Sequence, residues 1–138
     1  MPPFTNETQV RLKFQLSDIV LVPSTLIEAA IEDAHNSVVR QLDADVETDP
    51  PDTGLISGET LLAGAYLFRS LAAQDAFRQR NVSLGAQHIQ DGDRFRALTA
   101  MAALTEKQAW YLLEPYLMDA PARIPADATG SIPVLGED

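Results

Sequence analysis

The chain has 138 residues, a formal net charge of -10 and no cysteine. Its length fits one domain, which can bury roughly two-thirds of its unfolded surface and so needs no staples. The missing cysteine excludes a disulfide scaffold, a thiolate zinc site and a cysteine nucleophile, and it fits a reducing compartment. The acidic balance argues against gripping nucleic acid, since neutralising phosphates takes clustered Lys and Arg. It leaves room for DNA to pass close by without sticking, or for charge that only keeps the chain soluble. No basic region followed by an apolar run opens the sequence, and no apolar run approaches the roughly 20 residues that span a bilayer, so a soluble protein without signal peptide or membrane contact is expected. Asn6-Glu7-Thr8 and Asn81-Val82-Ser83 match the glycosylation acceptor pattern by chance on this reading.

Thr5 can cap a first short helix, with Glu7 favourably placed in its first turn. Val10, Leu12, Phe14 and Leu16 supply its apolar residues. They also alternate as in a strand, but Glu7, Gln9, Arg11 and Lys13 favour helix. Ser17-Asp18 breaks the pattern before Ile19 to Val22 leads to Pro23. A second helix starts around Thr25, where Thr25-Leu26-Ile27-Glu28 fits a capping box. Ile27, Ile31, Ala34, Val38 and Leu42 form its apolar stripe, and it ends near Leu42. Asp43 to Thr60 is expected to be an acidic, solvated loop, with Pro50-Pro51 and Gly54 as punctuation and Ser57 as cap of the next helix.

That third helix contains the stretch around which the rest is organised, LLAGAYLFRSLAAQDAF, Leu61 to Phe77. It is nearly apolar all round over Leu61 to Phe68, so it belongs in a core or between copies. Ala63, Gly64 and Ala65 would let another backbone come close. Asn81 to Asp93 reads as a short extended excursion or small hairpin. A fourth helix follows, capped by Asp91 or Asp93. Phe95, Leu98, Ala102, Thr105, Ala109, Leu112 and Tyr116 lie at helical spacing along it. Met101, Leu104 and Trp110 widen its apolar surface, and Pro115 ends or kinks it. The fold class is therefore all-α, with about four helices in residues 1–118 and an extended tail in residues 119–138. In that tail Pro121, Pro125, Gly130, Pro133 and Gly136 leave no room for a helix.

Catalytic constellations fail on their own requirements. Glu32-Asp33-Ala34-His35 has the Glu-x-x-His spacing of di-iron bundles, but two such motifs are needed and His88 lacks a partner Glu, so His35 reads as a surface or boundary residue. Gly54 to Gly58 lacks the Lys-Ser/Thr of a phosphate loop. Ser83, His88 and Asp91 lack the elbow that activates a serine. The acidic loop lacks the glycine and glutamate register of a calcium-binding EF-hand. Trp110, Tyr111 and Tyr116 could stack bases, but only Lys107 accompanies them. No catalytic residue, metal or cofactor is expected.

The order of parts is a short N-terminal helix, then LIEAAIEDAHNSVVRQL, then LLAGAYLFRSLA after a loop, then VSLGAQHI, then a helix ending AWYLLEPYL. This order, over roughly Thr5 to Leu117, resembles the head–tail connector, or adaptor, proteins of tailed bacteriophages and prophages. The resemblance implies a structural virion protein that stays monomeric until it meets the portal. It then forms a homo-oligomeric ring, a dodecamer, between the portal and the tail-completion protein. The ring extends a channel that double-stranded DNA traverses without specific binding. It places the chain in the virion, and in the cytoplasm of the bacterial host before assembly. Leu62, Tyr66, Phe68, Trp110 and Tyr116 would serve core or subunit contacts, and Ile124, Ile132, Val134 and Leu135 would dock on a partner, the portal. The rival reading is a small helical regulatory module unrelated to virions; a small-molecule enzyme has nothing in its favour beyond the possibility of a pocket.

Overall fold

A computed structural model of the chain describes residues 1–81 and 85–118, with the side chains of 79–91 excepted. Four α-helices follow in order among these residues: α1 (Glu7–Phe14), α2 (Ser24–Gln41), α3 (Thr53–Asn81) and α4 (Gly85–Leu113), with a 3₁₀ turn at Glu114–Tyr116. The expected all-α class is what the chain adopts. α3 and α4 run along each other as the main layer, and α2 and α1 pack on the α3 side. The core gathers Val10, Ile27, Val38, Leu55, Leu62, Leu67 and Leu113, all with no exposed surface.

Each helix starts and stops for a local reason. Asn6, not Thr5, caps α1: its Oδ1 accepts the Gln9 N–H at 2.9 Å. Removing that acceptor in Asn6→Ala is expected to cost about 1 kcal/mol, read as a lower urea midpoint. Gln15 closes α1 in the left-handed region, with φ 57, a conformation uncommon outside glycine. The capping box at Thr25 does not form. α2 follows Pro23 without a side-chain cap, and Ser24 instead sends its hydroxyl to Glu7 Oε2 at 2.6 Å. The stripe from Ile27 to Val38 is buried as the spacing predicts, and Leu42 at its end is half-buried.

α3 begins earlier than the loop composition implies. The Asp52 carbonyl accepts from Leu55 at 3.0 Å and Ile56 at 3.1 Å, so Ser57 lies inside the helix instead of capping it. The acidic loop is shortened to the residues between Leu42 and Thr53. It is tied down as well: Asp43 N–H donates to the Tyr116 carbonyl at 3.0 Å, and Met118 N–H to the Gln41 carbonyl at 2.7 Å. Val46 packs on the core from within it.

α4 also begins earlier, at Gly85, so the backbone expected to be extended up to Asp93 is helical from Gly85 onward. Its inward row is Ala102, Thr105, Ala109 and Leu113. The row thus passes through Leu113, while Leu112 is 38% exposed. Small residues at three-four spacing let α4 lie close to α3. Charged pairs flank the seam: Arg69 with Glu106, and Arg94 Nε with Asp75 Oδ2 at 2.7 Å. α4 ends two residues before Pro115, whose ring cannot continue a helix.

Candidate interaction surface

The polar centre of the fold is Glu59, on the inward row of α3 beside Leu55, Leu62 and Ala63, with no exposed surface. Its Oε2 accepts the backbone N–H of Phe4 at 2.7 Å and of Thr5 at 3.2 Å. Its Oε1 meets His35 Nδ1 at 2.9 Å, and the other ring nitrogen, Nε2, meets the Met1 carbonyl at 3.1 Å. Both ring nitrogens thus face oxygen atoms. The Phe4 ring stands edge-on to His35, centroids 5.0 Å apart. Thr5 and Thr60 hydroxyls meet at 2.6 Å.

His35 is therefore a buried residue, 6% exposed, and not the surface or boundary residue its motif suggests. Glu32 is exposed and takes no part. The cluster straps residues 1–5 across α2 and α3, and its groups are consumed by each other. Among the described residues no group of three or more metal-ligating side chains comes together. Ser83, His88 and Asp91 lie outside the described side chains.

A second polar tie joins α1 to α2. Glu7 accepts from Ser24 and from Arg11 Nε at 2.8 Å, and Arg11 also donates to the carbonyls of Leu16 at 2.9 Å and Val22 at 2.8 Å. The Ser24 hydroxyl, and then Arg11, hold the Glu7 carboxyl below its ordinary value of 4.5. A lowered folded value means that the tie is fully present above 4.5 and is lost as pH falls through the lower folded value. The stability gap between the wild type and Glu7→Gln should therefore shrink on going from neutral pH to roughly pH 3, as measured by urea unfolding at both.

The sequence-selected side chains lie in or at the edge of the core. Leu62 is fully buried, and Phe68 is 4% exposed with its ring edge-on to Phe14 at 5.1 Å. Tyr66 is half-buried, its hydroxyl donating to Ser37 Oγ at 3.1 Å. Trp110 is half-buried and its Nε1 donates to Glu106 Oε2 at 3.3 Å. Tyr116 is half-buried with its ring over Gly54. Ile124, Ile132, Val134 and Leu135 lie outside the described residues.

What faces solvent is a different apolar set. Leu12, Leu104, Tyr111 and Leu112 are exposed around the α1 and α4 surfaces, Leu12 by 77% and Tyr111 by 76%. They border two adjoining grooves of about 480 and 540 Å³ that share Leu61 and Leu112. A second group, Ile19, Val20 and Leu21, stands exposed on the turn between α1 and α2. Asp18 Oδ1 holds that turn by accepting from Val20 at 2.9 Å and Leu21 at 3.2 Å. Leu21 also lines a hollow with Leu71 and Arg78 of α3 and Leu98 of α4. Leu71 lies about 15 Å along α3 from Leu61 at 1.5 Å per residue.

One signal for Leu12 was present in the sequence. Residues two apart in a helix point roughly 200° from each other, so Val10 and Phe14 cannot share a face with Leu12. No protein-family model, curated protein or solved structure matches the chain. Among the described residues no helix is long and apolar enough to cross a membrane.

Proposed function

We propose that the chain is a structural head–tail connector of a tailed bacteriophage or prophage, forming a ring on the portal around the DNA channel. The observation that carries this reading is the pair of separated apolar surfaces: the Ile19–Leu21 turn, and the Leu12, Leu104, Tyr111 and Leu112 face. A ring of identical copies needs a head-to-tail contact, which uses two different patches on each copy. Clustered exposed apolar side chains fit contacts with another chain. The net charge of -10 supports a channel wall that repels phosphate and lets DNA slide. The polar cluster around Glu59 supports a structural role too, because its groups are satisfied internally and none is left to act on a substrate.

On this reading Ile124, Ile132, Val134 and Leu135 dock on the portal. Co-sedimentation of the full chain with the portal protein encoded beside it should give stoichiometric binding. The double substitution Val134→Asp, Leu135→Asp should abolish it while the circular dichroism of the helices stays unchanged. Failure of the folded wild type to bind would overturn the connector reading in favour of a helical regulatory module.

A further inference from the structure

We infer that the groove bordered by Leu12, Leu61, Leu104, Tyr111 and Leu112 is a receptor for the C-terminal segment of the same chain, Ile132 to Asp138. The argument begins with charge. The chain carries a net charge of -10 and only two lysines, Lys13 and Lys107. One lines each of the two adjoining grooves, and no Asp or Glu lines either. Neither lysine has an ion-pair partner among the described residues. A basic, apolar trough on an acidic protein selects an occupant with apolar side chains followed by negative charge. The sequence Ile132-Pro-Val-Leu-Gly-Glu-Asp138 has that composition: Ile132, Val134 and Leu135 for the leucine-lined floor, Glu137 and Asp138 for the lysines.

Reach decides for the same chain over another copy. Leu112 lies on α4, and the described chain leaves at Met118, close by in sequence. Residues 119–131 can span up to roughly 45 Å when extended, far more than the few turns of helix to be retraced. Covalent attachment through a connection this short gives a local concentration on the order of millimolar, which a free copy does not match at ordinary protein concentrations. The inference stands without the connector reading. If that reading holds, exchange of the segment onto the portal would uncover the groove for a neighbouring copy, and the ring would form only at the portal.

The test uses the full chain, isolated and without any portal, so its outcome is independent of the co-sedimentation result. Because cysteine is absent, Gly136→Cys gives one attachment point for a nitroxide. Methyl signals of Leu12, Leu104 and Leu112 should be strongly attenuated, because a label on a segment seated in the groove lies beside them. Signals of Ile19 and Val20 should be spared. Lys13→Glu with Lys107→Glu should restore the groove signals, and adding Glu137→Lys with Asp138→Lys should quench them again. Undiminished groove signals in the wild type would overturn the inference. So would quenching that appears only between isotope-labelled and nitroxide-labelled chains, which would make a second copy the occupant.

Discussion

Replacing Glu59 by alanine should cost the domain about 3–5 kcal/mol, a large part of the 5–15 kcal/mol that holds a typical domain together. The carboxylate receives two backbone N–H groups and faces His35, all out of water. Deleting it strands those donors in the interior, where each loses its partner without regaining a water molecule. The loss should fall on the N-terminal strap first. Phe4 and Thr5 are held to α3 through Glu59, and Met1 is held to α2 through His35. Amide exchange of Phe4 and Thr5 should therefore accelerate even under conditions where α3 and α4 remain protected.

Two further variants separate the charge from the shape. Glu59→Gln keeps an oxygen to accept from Phe4 and Thr5 but presents a neutral amide to His35, and it should cost about 1–3 kcal/mol, less than Glu59→Ala. His35→Ala removes the second partner and leaves Glu59 with its two backbone donors, so it should also fall below Glu59→Ala. Urea midpoints at constant m-value measure all three. A Glu59→Ala protein as stable as the wild type would mean that the strap contributes nothing to the fold.

The helices were legible where apolar spacing carries them and illegible where a single side chain decides. The α2 stripe from Ile27 to Val38 is buried as its periodicity requires, because about three turns of consistent pattern outvote any one residue. Caps are decided by one hydrogen bond, and there neighbouring candidates compete: Asn6 took the place of Thr5, whose hydroxyl is engaged with Thr60. The early start of α4 went unread because Gly85 and Asp91-Gly92 resemble turn punctuation, yet Gly92 sits in helix with open space where a Cβ would be. Glu59 escaped for a different reason. A buried polar side chain has no composition of its own, and only its register with Leu55 and Leu62, one turn to either side along the inward face, marks it. The exposed apolar set escaped in the same way: the aromatic residues expected at core or subunit contacts lie at the edge of the core, while the exposed side chains are leucines and Tyr111 set between inward positions.

Gly64 is the other position where a small change should have a large effect, and its sign should depend on one neighbour. The small run Ala63-Gly64-Ala65 admits a close approach, but what approaches Gly64 is the Phe14 ring of α1 and not another backbone. A Cβ at Gly64 would overlap Cε2 and Cζ of that ring. The ring has little room to retreat, since it already stands edge-on to Phe68, which is 4% exposed. In isolation, glycine to alanine inside a helix gains about 1 kcal/mol. Overpacking here costs about 1–3 kcal/mol, so Gly64→Ala should be neutral to destabilising by up to about 2 kcal/mol, and Gly64→Leu should displace α1 altogether. In a Phe14→Ala background the obstacle is gone, and the same Gly64→Ala change should stabilise by up to about 1 kcal/mol. A double-mutant cycle on thermal midpoints measures the reversal, at roughly 4 °C or more per kcal/mol for a domain of this size. Equal effects of Gly64→Ala in both backgrounds would show that Phe14 does not rest on Gly64.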